Sequence, residues 1–129
     1  MAAKTAGARL EERWRDLLAV HARTLGEIDR ALHPYGLGAS DFEVLDLLAA
    51  ATPPGGEQCR VQNLVGRVHL SQSALSRLIA RLEKDGLVER SVCPEDRRGV
   101  YVQLTPKGRG LHAEALPVQR AALARALGE

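Results

Sequence analysis

Aromatic residues are nearly absent from this chain of 129 residues: it has one Trp, two Tyr and one Phe. A core so poor in rings must be filled by Leu and Ala, a pair that favours helices packed on helices. Cysteine is as sparse. Cys59 and Cys93 lie far apart, and His21, His33, His69 and His112 show no metal-ligand spacing, so no zinc set and no other metal site is expected. Both thiols read as ordinary reduced cysteines. Cys93, beside several Arg, is the better placed of the two to sense oxidants. No apolar run approaches the ~18 residues that span a bilayer, and MAAKTAGARLEERW lacks the apolar centre of a signal peptide. We therefore expect a cytoplasmic protein, away from membranes. Paired His/Asp/Ser or Cys groups and a phosphate-binding Gly loop are also missing, which argues against an enzyme and against a cofactor.

The length fits one domain, 1–129. Net charge is only +2, but it is unevenly spread. Residues 1–59 hold six Lys/Arg against nine Asp/Glu, whereas residues 60–109 hold ten against five. A basic segment inside a near-neutral chain suits a polyanion partner, although a solvated basic face would look the same.

Apolar residues at Leu10, Trp14, Leu17, Leu18, Leu25, Ile28 and Leu32, with amphipathic His21, trace one stripe along a helix of about six turns. Pro34, Gly36 and Gly38 end it. The helix is long for so small a domain, so one face is expected to pack on something outside the monomer's core. Ser40 and Glu43 have capping-box spacing and predict a second helix with Phe42, Leu45, Leu48 and Ala49 inward. Residues 52–57 read as a loop. A short third helix is expected over Arg60–Val68, then a turn at His69-Leu70.

Ser71 is an N-cap for a fourth helix whose Leu75, Leu78, Ile79 and Leu82 fall at i, i+3, i+4 and i+7. Gly86 is the stop, with Leu87 behind it. Val88–Val92 and Val100–Leu104 alternate like half-buried strands, and residues 93–99 read as the loop between them. Thr105-Pro106 opens a fifth helix, with Leu111, Ala115 and Leu116 inward and Pro117 expected to kink or interrupt it.

Helices three and four make a helix-turn-helix, in which the second helix offers its N-terminal residues to base edges in the major groove. Here these are Gln72, Ser73, Ser76 and Arg77. Arg can grip guanine with two hydrogen bonds, Gln can do so with adenine, and Ser serves several partners. Arg81 and Lys84 lie further along, towards backbone or solvent. Alone, such a helix is usually just a surface helix. The hairpin beside it changes the balance: Arg97 and Arg98 on a thin projection suit the narrow minor groove, and Asp96 can orient one of them through a charge-assisted bond.

LSQSALSRLIARLEKDGLVER followed by EDRRGVYVQLTPKG resembles the winged-helix signature of the MarR (multiple antibiotic resistance regulator) family. Asp96-x-Arg98 and Leu104-Thr105-x-Lys107-Gly108 carry its most specific part. The resemblance spans about residues 10–116. It implies a mainly α fold with a small antiparallel β wing: a winged helix-turn-helix lobe at 40–104 between dimerisation helices at 8–33 and 106–127. It implies a homodimeric regulator, usually a repressor, on pseudopalindromic double-stranded DNA. By this resemblance Ser71, Gln72, Ser73, Ser76 and Arg77 match the DNA-reading positions, and Arg81, further along the same helix, is also expected to be a DNA-binding residue. Arg98 matches the minor-groove wing arginine and Asp96 its partner. The resemblance also implies a small aromatic or anionic effector, for which Trp14, His21 and Phe42 are candidate pocket residues, unless they are plain core or dimer-seam residues. The peroxide-sensing branch of the family uses a Cys near the N-terminus, where this chain has none. The chain departs from the pattern at its end: a further C-terminal helix normally completes the interface, and here either 118–127 substitutes for it or the chain is a shortened form. A winged helix used for protein contact is the rival reading, but it has little need of the basic 60–109 segment.

Overall fold

A computed structural model describes residues 5–51, 59–93 and 96–128; of 59, 60, 93 and 96–99 it describes the backbone alone. The element order is α1 (Ala6–Leu32), a 3-10 turn (His33–Tyr35), α2 (Ala39–Ala51), β1 (Cys59–Arg60), α3 (Val61–Val65), α4 (Gln72–Lys84), β2 (Val88–Cys93), β3 (Asp96–Leu104) and α5 (Pro106–Leu127). The mainly helical class with a small antiparallel sheet is as expected.

α1 starts on Thr5, whose hydroxyl accepts from Ala8 N–H at 3.1 Å. It ends where Pro34 tightens the chain into the 3-10 turn and Gly36 takes a left-handed φ of 72°. Its apolar stripe is divided. Ile28 and Leu32 enter the core, while Leu10, Trp14, Leu17 and Leu18 stay exposed.

The start of α2 corrects the expected capping box. Ser40 and Glu43 do not cap it, and the helix begins at Ala39. Gly38 N–H donates to Asp41 Oδ2 at 2.7 Å, and Ala39 N–H donates to Asp29 Oδ1 of α1 at 2.8 Å. Two carboxylates thus satisfy two of the free N–H groups at the helix start, one of them from a different helix.

Leu32, Phe42, Leu45, Leu75, Ile79 and Leu82 are essentially fully buried where α1, α2 and α4 converge, and Val88 and Val102 close the core from the sheet. The sheet has strand order β1-β3-β2, with both pairings antiparallel. β1 was not foreseen: two residues, Cys59 and Arg60, pair with Val102 and Tyr101. Arg60 was expected to start the third helix, which instead runs only over Val61–Val65 and relaxes into a turn by Val68.

α5 corrects a further expectation. Of the two expected effects, Pro117 does not interrupt it: the helix is continuous for 22 residues. A proline inside a helix costs about 3 kcal/mol. Burial of Ala115, Gln119, Ala122 and Ala126 on both sides of Pro117 holds the helix together against that cost. Its last turn is tied to α1: the Arg23 guanidinium donates to the Ala126 carbonyl at 3.2 and 3.3 Å, and Arg125 pairs with Glu27 at 3.4 Å. Hydrogen bonds from Arg30 and then Arg125 hold the Glu27 carboxyl below its usual range.

Candidate nucleic-acid interface

The start of α4 is set by a sharp corner. After α3, Arg67 and Val68 N–H groups both close on the Leu64 carbonyl. His69 then adopts a left-handed φ of 55°, unusual outside glycine. The chain re-enters a helix at Ser71, whose hydroxyl accepts from Ala74 N–H at 3.1 Å, as expected of an N-cap. Leu75, Leu78, Ile79 and Leu82 are buried, and Gln72, Ser73, Ser76 and Arg77 are exposed together on the N-terminal half. Among the described residues Arg77 has no hydrogen bond or ion pair, so its fork of donors is unspent.

The far end of α4 is clamped. Gly86, at φ 77°, reverses the chain so that Leu87 N–H reaches back to the Leu82 carbonyl at 2.9 Å. The start of α5 docks on this reversal. Thr105 Oγ1 donates to the Gly86 carbonyl at 2.6 Å, Lys107 Nζ donates to the Asp85 carbonyl at 2.9 Å, and Thr105 N–H donates to the Leu87 carbonyl at 3.1 Å. Thr105 Oγ1 also accepts from Gly108 N–H, the expected N-cap. Five residues thereby join the end of α4 to α5.

The wing runs along β2 and β3. Arg90 donates from Nε and Nη2 to Glu83 Oε1 at 3.1 and 2.9 Å, tying β2 to the side of α4. This bond holds the Glu83 carboxyl below its usual range. Sequence reasoning missed the pair, because the only signal was opposite charge on adjacent elements. Asp96, Arg97 and Arg98 correct another expectation. They belong to the start of β3, not to a loop spanning 93–99. The register explains it: Val92 pairs with Val100 and Cys93 with Asp96, so 97–99 bulge between two paired positions. The expected Asp96–Arg98 side-chain pairing lies outside the described residues, as do the 52–57 loop and the thiols of Cys59 and Cys93.

Arg81 is exposed one turn beyond Arg77, but its guanidinium is folded back on Asp41. Nη1 donates to Oδ2 at 3.1 Å and Nη2 bonds Oδ1. This hydrogen bond raises the Arg81 pKa further above its ordinary value.

A cleft of about 400 Å³ lies between α1, the start of α2 and the α3–α4 corner. His21, Leu25 and Ile28 line one side, Ser40 and Glu43 another, and Arg67 to Leu70 the third. Of the expected pocket residues only His21 is there. Phe42 faces the other way, buried and stacked on His112 of α5 with ring centroids 5.4 Å apart. Trp14 lies two turns earlier on α1, beyond the lobe and 60% exposed. His112 also bonds Asp46 at 2.8 Å. Partial withdrawal from water, and then the neighbouring Asp46, push the Glu43 carboxyl up. A carboxyl raised on folding destabilises the fold once ionised, with the loss growing as pH rises through its range. Glu43→Gln is therefore expected to raise the melting temperature at pH 7. It is expected to leave it unchanged near about pH 3, where the carboxyl is protonated in both states; thermal melts at the two pH values check it.

The model of the MarR family matches residues 39–100, from α2 into the wing. Over that segment the chain is similar to the MarR family. The HTH-type transcriptional regulator YkoM of Bacillus subtilis is 29% identical over 119 residues, which cover 89% of this chain and 74% of that protein. Among solved structures, the MarR family regulator Sco3205 of Streptomyces coelicolor, in complex with DNA, superposes with a TM-score of 0.81. It is 28% identical, over 98% of this chain and 76% of its own. CouR of Rhodococcus jostii RHA1, bound to p-coumaroyl-CoA, gives a TM-score of 0.74 at 28% identity, over 84% of this chain and 72% of its own. The matched segment holds the capped α4 and its corner, and the rest of the chain is the α1–α5 frame that carries them.

Proposed function

We propose that this protein is a sequence-specific, double-stranded DNA-binding transcriptional regulator, acting as a homodimeric repressor of a pseudopalindromic operator in the cytoplasm. The observation that carries it is α4. The helix is fixed at its C-terminal end by α5 and backed by a buried Leu/Ile face, yet its N-terminal Gln72, Ser73, Ser76 and Arg77 are exposed. That combination suits insertion into a major groove, with Asp96, Arg97 and Arg98 reaching the adjacent minor groove. Sco3205, so similar in fold, is a DNA complex. The reading gives the chain no catalytic chemistry. Among the described residues, no helix is long and apolar enough to cross a membrane.

The second copy is called for by α1. Leu10, Trp14, Leu17 and Leu18 recur at helical spacing, and each is 45% exposed or more, with Leu127 at the end of α5 also open. A stripe of this kind on an isolated chain marks a surface that another copy covers. The effector, a small aromatic or anionic compound, takes the cleft beside His21, where the Arg67 guanidinium has no partner among the described residues. It acts by favouring a dimer whose half-site spacing is wrong.

Fluorescence anisotropy against an operator-like duplex selected from a random library, at several salt concentrations, tests the reading. Binding that weakens steeply with salt is expected, because phosphate contacts release counterions; absent or salt-independent binding refutes it. Arg77→Ala is expected to relax base preference at one position of each half-site by about 1–3 kcal/mol. Unchanged preference removes Arg77 from the base-reading set.

A further inference from the structure

We propose that Arg81 is a positioning residue for operator recognition: it hangs the reading helix from the α1–α2 corner and does not touch DNA. This rests on the DNA-binding reading above. The Asp41 carboxylate is buried, its side chain 6% exposed, and a buried charge left unpaired is strongly destabilising. Arg81 is the partner that neutralises it. Both terminal nitrogens of the guanidinium meet both carboxylate oxygens, and two parallel bonds between planar groups fix orientation as well as distance. Turning Arg81 outward to a phosphate would strand Asp41, so the exposed half of the side chain is not free for DNA.

Asp41 holds more than Arg81. Its Oδ2 also accepts from Gly38 N–H at 2.7 Å, and the next residue, Ala39, donates its N–H to Asp29 of α1 at 2.8 Å. A continuous polar path therefore runs from α1 through Asp29, the corner and Asp41 to Arg81 on α4. With the α5 clamp at Asp85–Leu87 and the Arg90–Glu83 tie to β2, α4 is held at three points, and the pair at Arg81 sets its roll about its own axis. That roll decides which way Gln72, Ser73, Ser76 and Arg77 point. Ile28, Ala39 and Ser40, at the edge of the cleft, belong to the same corner.

The test compares wild type, Arg81→Gln, Arg81→Lys, Asp41→Asn and the Asp41→Asn/Arg81→Gln double variant. Each binds a duplex enriched by the wild type from a random library, and a random-sequence duplex, across a salt series. Each single variant is expected to lose about tenfold in affinity for the enriched duplex, with the random duplex little affected. The double variant should be no worse than Arg81→Gln, because the two residues act as a unit. The salt slope should not change. Arg81→Lys should fail like Arg81→Gln, since a lysine keeps the charge and loses the fork. A salt slope reduced by about one in Arg81→Gln, restored in Arg81→Lys and untouched in Asp41→Asn, overturns the proposal, because that pattern is a phosphate contact. So does wild-type specificity in all the variants. A wild type that binds neither duplex refutes the DNA reading itself. If Asp41→Asn melts below the assay temperature, the contrast between Arg81→Gln and Arg81→Lys decides.

Discussion

Gly108→Ala is expected to be the most damaging single-methyl change in the described part of the chain. A Cβ at Gly108 would sit 2.0 Å from the Leu87 carbonyl oxygen and 2.9 Å from its carbon, both backbone atoms. A flexible side chain could swing aside, whereas this carbonyl cannot: it already accepts from Thr105 N–H at the helix-to-helix clamp. Relief requires moving α5 away from the end of α4. Overpacking of this kind costs about 1–3 kcal/mol, or more where backbone must shift. Out of a total stability of about 5–15 kcal/mol, that is a large share. The melting temperature should fall by roughly 10 °C, at about 3 °C per kcal/mol for a domain of this size. DNA affinity should fall with it even where the protein stays folded, because the clamp also orients the reading helix. Differential scanning calorimetry, with anisotropy run well below the melt, separates the two effects. A melting temperature within a degree of wild type would mean that α5 does not need its close approach to Leu87.

Trp14→Glu should have the opposite profile: a small effect on the fold and a large one on binding. Trp14 is 60% exposed on a part of α1 outside the core, so the monomer loses little. In the proposed dimer, a carboxylate at the centre of this stripe places two like charges in an apolar seam. The expected result is a monomer by sedimentation equilibrium at concentrations where wild type is a dimer. Affinity for a palindromic duplex should drop about 100-fold or more, since the two half-sites are no longer linked. Circular dichroism should be unchanged. A variant that remains dimeric would place the seam elsewhere on the chain.

Local signals made α4 easy to read. Ser71, four apolar residues at one spacing, Gly86 and Leu87 all lie within seventeen residues of sequence, and each acts on its neighbours. Thr105-Pro106 was legible for the same reason. What sequence pattern concealed depends on partners far along the chain. Ser40 and Glu43 fit the capping template, yet Asp41 and Asp29 took the cap, because Asp29 arrives from another helix. Arg81 looked like part of the outer face until Asp41, forty residues away, claimed it. A two-residue strand has no periodicity to detect, so β1 shows only through its pairing with Tyr101 and Val102. Phe42 looked suited to a ligand pocket because an aromatic on an apolar helix face has several uses. His112, which the helix packing brings over it, decided among them.

The chain's single tryptophan stands on the outer face of α1, away from the buried Leu core. This makes it an intrinsic optical probe of a particular kind. Its emission starts out water-relaxed in an isolated folded chain and should barely change on unfolding, so a denaturation curve followed by tryptophan fluorescence would look nearly featureless. The same emission should shift to the blue when α1 is covered. A dilution series read at a single wavelength therefore reports assembly with no label attached. Circular dichroism reports folding, and the two equilibria can be measured separately in the same cuvette.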